Sequence, residues 1–206
     1  MTTITTMMSE VPDPPFKYDP EKAGDDISLV ASEAPHICVI SPFITRHGLR
    51  KLTAVCARGA KIDVVTRWEV REVKSGVSDP LIIEDVLSTG GELKLLPKLH
   101  AKAYIVGKHS LVGSANATLS GLGFSSEANV EIMVGVSSTH PAIVNLKDLI
   151  EKRASIADLD YAREVCEIAA SMHVEGFLPD AGAGAGWLPL TRVPSRVEDC
   201  YFGRDE

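Results

Sequence analysis

Aromatic residues are scarce in this chain of 206 residues: two Trp, four Tyr and five Phe make up 5% of it. With so few rings, and no apolar lid legible in the sequence, little is available to admit acyl chains. No apolar run approaches the roughly 18–20 residues that a membrane span requires. The polar start at residues 1–10 is unlike a secretory leader, so a cytoplasmic protein is expected. The four cysteines, Cys38, Cys56, Cys166 and Cys200, lie far apart with no C-x-x-C pair. That spacing sets aside structural zinc and a disulfide framework and leaves reduced thiols. No internal repeat is present, so any motif occurs once. No carboxylate cluster of the kind that holds a divalent cation stands out. A net charge of −7 argues against a generic nucleic-acid coat protein.

What is present is ordinary globular composition, 45% apolar and 24% charged, in a chain long enough for one well-buried domain. The charge is unevenly placed. Residues 36–110 carry twelve Lys and Arg against seven Asp and Glu, and the remainder carries nine against twenty-one. A basic middle in an acidic frame fits an anionic substrate held at one place.

Residues 1–26 are polar and proline-bearing and read as an arm. The run 37–42 predicts a strand buried on both faces, 49–58 a helix stopped by Gly59, and 61–68 a second strand. Asp79 and Pro80 open a helix through Leu87, and 92–97 reads as a third strand. Runs 99–106 and 110–113, separated by Gly107-Lys108-His109, predict a hairpin, and 129–136 a further strand. Amphipathic stretches 141–153 and 156–172 predict two helices packed on the sheet. The expected fold class is α/β, a mixed, largely parallel central sheet flanked by helices on both faces. The domain is placed at 27–172 and a Gly/Pro-rich tail at 173–206, where Trp187, Leu188 and Phe202 are the candidates for docking.

The chemistry concentrates in residues 99–122, LHAKAYIVGKHSLVGSANATLSGL. Residues two apart in an extended chain face the same way, so His100 and Lys102 are presented together. A hairpin returns Gly113-Ser114-Ala115-Asn116, small and polar where backbone must approach closely, to their neighbourhood. An imidazole, an ammonium, a hydroxyl and an amide then share one site, which is a phosphate cradle beside a nucleophile.

HxK followed by GSxN resembles the HKD motif of the phospholipase D superfamily, H-x-K-x4-D then GSxN. Ser41-Pro42-Phe43 followed by Gly48-Leu49 also looks like the nucleases of that superfamily. The motif's Asp position is Gly107 here, and GSxN comes one residue early. The resemblance implies a phospholipase D-like fold and a metal-independent, cofactor-free phosphodiesterase. Similar single-motif proteins act as homodimers. His100 would attack phosphorus and form a phosphohistidine, while His100 of the partner subunit would protonate the leaving oxygen. Lys102, Ser114 and Asn116 would bind the non-bridging oxygens. The resembling families place a Glu on the strand after GSxN to orient the histidine; Glu131 is the candidate and Glu127 the runner-up. The interval between Asn116 and Glu131 looks long, so residues 119–128 are expected to form an extra rim loop.

Arg46 and His47 follow the first strand, where α/β proteins place ligand contacts, and Arg67 with Trp68 ends the second, offering charge and a stacking face. Thr118 is a further candidate for phosphate contact, against the alternative that it caps the Gly121–Leu122 turn. The leading expectation is an endonuclease acting on DNA or RNA. The alternatives are a phospholipid hydrolase or transphosphatidylase, and a non-catalytic nucleic-acid-binding module. The expected companions are a second copy and a helicase or target-recognition subunit of a restriction or defence system, with no membrane involved.

Overall fold

The apolar run after His36 becomes the centre of the molecule because it satisfies two cores at once. In the computed structural model, which describes residues 16–172, this run is strand β1 (His36–Ile40). Its alternate side chains go to opposite faces. Ile37 and Val39 join one buried cluster, and Ile40 joins a second with Cys38 packed against it.

The remaining elements are α1 (Ala23–Ala31), α2 (Arg46–Ala54), β2 (Lys61–Thr66), α3 (Val70–Lys74), α4 (Ile82–Ser88), β3 (Leu93–Leu95), β4 (Ala103–Val106), β5 (His109–Gly113), β6 (Met133–Ser137), α5 (Pro141–Arg153), β7 (Ser155–Ile156) and α6 (Leu159–Ser171). Seven strands form one sheet in the order β6-β5-β4-β1-β2-β3-β7. The first core face is covered by α1, α2, α4 and α6 through Ile27, Leu49, Ile83 and Val165. The second is covered by α5 through Ile143 and Ile150. Helices on both faces of a mixed sheet are therefore as expected.

A largely parallel sheet is not what forms. Only the β1–β2 and β2–β3 pairings are parallel, and the other four are antiparallel. Parallel neighbours need a crossover connection, usually a helix. The β1-to-β3 part has such helices, but the chain passes from β3 to β4 in residues 96–102 with none, so β4 returns antiparallel to β1. The hairpin and β6 extend that direction.

Several boundaries also move. Helix α1 begins at Ala23, so residues 23–26 of the expected arm belong to the packed domain. Residues before them are tied down as well, since buried Asp26 accepts the Lys17 and Tyr18 N–H groups at 2.8 Å each. Helix α2 starts three residues earlier than its apolar spacing suggested, because Thr45 caps it and accepts from the Gly48 N–H at 3.2 Å. The β4–β5 turn has two residues, Gly107 and Lys108, so His109 pairs with Val106 in the ladder instead of lying in the loop. Gly107 takes φ +56°, the left-handed conformation such a turn requires. Helix α3 and strand β7 were not expected. The tail with Trp187, Leu188 and Phe202, like residues 1–15 and Cys200, lies outside the described residues.

Candidate active site

Several chain segments meet at one edge of the sheet: the chain leaves β1 at Ser41, β2 at Arg67 and β5 at Ser114, and enters β4 through 100–102 and β6 through 131–132. His100 and Lys102 lie in the extended lead-in to β4, just outside the strand. Their spacing still puts them side by side. Lys102 Nζ donates to the His100 carbonyl at 3.0 Å and stands 3.5 Å from Nδ1, the outer limit of a hydrogen bond. The Gly113 N–H donates to the Lys102 carbonyl at 3.3 Å, which sets the GSAN end beside that pair.

Ser114 is held from three directions. Its N–H donates to the Ile132 carbonyl at 2.9 Å, its Oγ accepts from the Ile132 N–H at 3.0 Å, and its hydroxyl proton goes to Glu131 Oε2. Asn129 Nδ2 occupies Glu131 Oε1 at 3.1 Å, and the Glu131 N–H donates to the Pro20 carbonyl at 2.7 Å. Asn116 is positioned by the first strand. Fully buried Ser41 accepts from the Ala117 N–H at 3.2 Å and gives its single proton to the Phe43 carbonyl at 2.9 Å. Asn116 Oδ1 lies 3.4 Å from the same hydroxyl. Below them the buried Tyr104 hydroxyl donates to the Ala115 carbonyl at 3.0 Å, and burial raises its phenol so that it stays protonated.

The electrostatics favour a neutral imidazole. The Lys102 charge, followed by partial burial and by Arg67, holds His100 below the usual histidine range. Lys102 is itself held below its ordinary value, first by burial and then by Arg67, with the Glu131 carboxylate acting in the opposite direction. A neutral histidine open to solvent, an ammonium and an oriented hydroxyl can together attack and cradle a phosphate. Among the described residues no group of three or more His, Cys, Asp and Glu side chains is placed to hold a metal ion.

The structure thus brings His100, Lys102, Ser114, Asn116 and Glu131 to one edge, with one change of role. Glu131 does not bond to the His100 ring; its carboxylate is taken by Ser114 and Asn129. Glu127 is exposed and lines a different cleft. Arg46, His47 and Thr118 also line that cleft, of about 790 Å³, together with Lys74 and Ser125, whereas His100, Lys102, Ser114 and Asn116 do not. The Arg46 guanidinium is engaged by Asp85 at 2.8 Å and Glu84 at 2.7 Å, because the start of α2 packs beside α4. Thr118 Oγ1 accepts from the Gly121 N–H at 3.0 Å, the capping alternative. Trp68 offers no stacking face: it is 1% exposed and stacks on Tyr161 inside the core. Arg67 is buried and turned inward. Residues 119–128 do form an irregular loop, pinned where Leu122 accepts from the Gly24 N–H at 2.8 Å.

Two supporting residues were given no role by the sequence reading: Ser41, named there only within Ser41-Pro42-Phe43, and Glu72, which pairs with Arg67. The Ser41 hydroxyl stands at the end of an apolar run before Pro42, a polar atom in a buried position that was the available signal. Glu72 gave none, since it sits on the five-residue helix α3.

The family model described as "Cardiolipin synthase, PLD-like domain" matches residues 30–152. No curated protein matches. Among solved structures, the chain is similar to the phospholipase D family member Nuc from Salmonella typhimurium, with 18% identity, 64% of this chain and 87% of that one covered, and a TM-score of 0.45. It is also similar to phosphatidylserine synthase of Haemophilus influenzae, with 11% identity, 71% and 40% covered, and a TM-score of 0.47. A third is TrmBL2, an archaeal chromatin protein whose structure shows a mode of DNA binding, with 17% identity, 66% and 49% covered, and a TM-score of 0.39.

Proposed function

The chain belongs to the phospholipase D-like family, and from that premise we propose that it is a phosphodiesterase of the nuclease type, working through a phosphohistidine on His100 as a homodimer. The observation that carries this is the convergence of His100, Lys102 and the Ser114-to-Asn116 segment on one open sheet edge, with His100 held below the usual histidine range.

In the first step a neutral His100 ring nitrogen forms a bond to phosphorus and the scissile P–O bond breaks. His100 of the partner subunit, protonated at the outset, gives its proton to the leaving oxygen. In the second step a water oxygen attacks phosphorus and the P–N bond breaks. The water's proton passes to the ring that was left neutral, restoring the starting state. Lys102 and Asn116 hold the non-bridging oxygens throughout, and Ser114 joins them by turning its hydroxyl proton from Glu131 to the phosphate. Glu131 serves by fixing the Ser114 hydroxyl.

These 206 residues carry one copy of the motif, so the second histidine is assigned to a second copy. A surface for it is at hand. Val130, Ile132 and Val134 alternate along the sheet's edge on either side of Glu131 and are 76%, 69% and 49% exposed. Apolar residues left in water beside an incomplete site are suited to self-association.

A nucleic-acid substrate is supported by the excess of Lys and Arg over Asp and Glu in residues 36–110, twelve against seven, since a sugar-phosphate chain presents repeated negative charge. A phospholipid substrate is the second reading, favoured by the name of the matching family model. The test is cleavage of labelled single- and double-stranded DNA and RNA in EDTA, comparing wild type with His100→Ala. EDTA-resistant cutting lost in the variant is the expected result. Turnover of a phospholipid with no cutting of any nucleic acid would assign the lipid reading instead.

A further inference from the structure

Arg67 has the charge and position of a substrate ligand but not the exposure, at 9%. Its donors point into the protein. Nη1 donates to the Leu99 carbonyl at 2.9 Å, Nη2 donates to Glu72 Oε1, and Nε lies 3.3 Å from Glu72 Oε2 and 3.5 Å from Glu69. The guanidinium carbon also sits 5.5 Å from the centre of the Phe43 ring. One side chain therefore touches the segment leading to His100 and the Ser41-Pro42-Phe43 turn that positions Asn116.

The segment before His100 needs such a hold. It leaves β3 through a tight turn in which Lys98, not a glycine, takes φ +61°. The turn is closed by the Leu99 N–H donating to the Leu96 carbonyl at 3.2 Å, and the Leu96 N–H ties it to the Thr66 carbonyl at 2.9 Å. The next carbonyl in line is that of Leu99, one residue before His100, and Arg67 is its donor. Only a guanidinium can offer a fork to a carboxylate and a third N–H to a carbonyl in fixed relative directions. Helix α3 supplies that carboxylate through Glu72, whose side chain is mostly buried.

We propose that Arg67, braced by Glu72, is a positioning residue that fixes the Leu99 carbonyl and so aims His100 at the scissile phosphorus. This rests on the phosphodiesterase reading of the site. The charged groups around the pair are Lys102 and Arg67 facing His100, Glu69 and Glu72 facing Arg67, and Glu131 facing Lys102.

The test uses full-length Arg67→Lys, Arg67→Met and Glu72→Gln, with two readouts. Steady-state kinetics are expected to show kcat reduced about tenfold to a hundredfold in Arg67→Lys with KM within about twofold, since misplacement of an attacking group acts on kcat. Glu72→Gln, which keeps the arginine and is the milder change if the others unfold, is expected to move kcat the same way. The second readout is the NMR resonance of the His100 ring, assigned by its loss in His100→Ala. Its position is expected to shift in Arg67→Lys and Glu72→Gln, and its titration midpoint to rise in Arg67→Met. A raised KM at unchanged kcat in Arg67→Lys, with Glu72→Gln behaving as wild type, would make Arg67 a substrate ligand and overturn the proposal. An unmoved His100 resonance in all three variants overturns it too. A wild type that cleaves no phosphodiester defeats the reading of the site, while the ring resonance still decides whether Arg67 positions His100.

Discussion

The Ser114 hydroxyl donates its proton to the Glu131 carboxylate, and the Ile132 N–H donates back to the same hydroxyl oxygen at 3.0 Å. The serine is thereby fixed by the two residues that also begin the exposed edge of the sheet. The single Ser114 proton is held by Glu131, so the hydroxyl reaches a phosphate oxygen only by turning that proton away from the carboxylate. Ser114→Ala is expected to lower kcat roughly a hundredfold, the scale of losing one donor to a transition-state oxygen. Glu131→Gln is expected to approach that loss. The double variant should cost little more than either single one, since both remove one unit; multiplicative losses in a double-mutant cycle would show that they act separately.

His100 is held below the usual histidine range, with Lys102 the largest cause. The unfolded chain therefore binds a proton on this residue at higher pH than the folded one. Its contribution to stability is intact above about pH 6.5, the unperturbed value, and is lost as pH falls through the lower folded value. Urea midpoints from pH 7.5 to 4.5 should fall less steeply in His100→Ala than in wild type. In Lys102→Met the His100 titration midpoint should rise, and activity should be abolished.

Gly107 stands where the family motif has its Asp, at the far end of the hairpin from His100 and with open space where a Cβ would stand. Gly107→Asp is expected to cost about 1 kcal/mol, because φ +56° suits glycine best, although Asp tolerates that region better than most residues. Turnover should stay within about twofold. A large gain in kcat would mean that the missing carboxylate acts on the site after all.

Gly48 lets α2 lie against the segment after β5 that carries Asn116. A Cβ there would meet the Ala117 carbonyl oxygen at 2.4 Å and Thr118 Cα at 2.7 Å, both backbone atoms. Gly48→Ala is expected to cost about 1–3 kcal/mol by chemical denaturation. It should also lower kcat, because the yielding backbone adjoins Asn116. Wild-type turnover in a destabilised variant would uncouple the helix from the site.

Ile132 is the centre of the exposed Val130-Ile132-Val134 stripe. Ile132→Glu is expected to give a monomer by sedimentation, with loss of activity and a melting temperature that no longer rises with protein concentration, since association stabilises the folded chain by mass action. A monomeric wild type with full activity would sink the shared-site reading.

Local period and local chemistry were enough to set several parts of this protein from the chain alone. The continuous apolar run at 37–42 became strand β1, buried on both faces, Pro141 opened a helix that ends at Arg153, and the hairpin carried GSAN back to His100 and Lys102. Strand direction was less legible, because it depends on whether a connection is long enough to cross over, and the passage from β3 to β4 is not. The roles of the charged residues emerged only in three dimensions. Arg46 and Arg67 read as substrate contacts and Glu131 as the residue that orients the histidine, yet packing paired Arg46 with α4, tied Arg67 to the Leu99 carbonyl and turned Glu131 to Ser114. A charge takes the partner that tertiary packing brings within about 3 Å, whether that is Asp85, 39 residues from Arg46, or Glu72, five residues from Arg67.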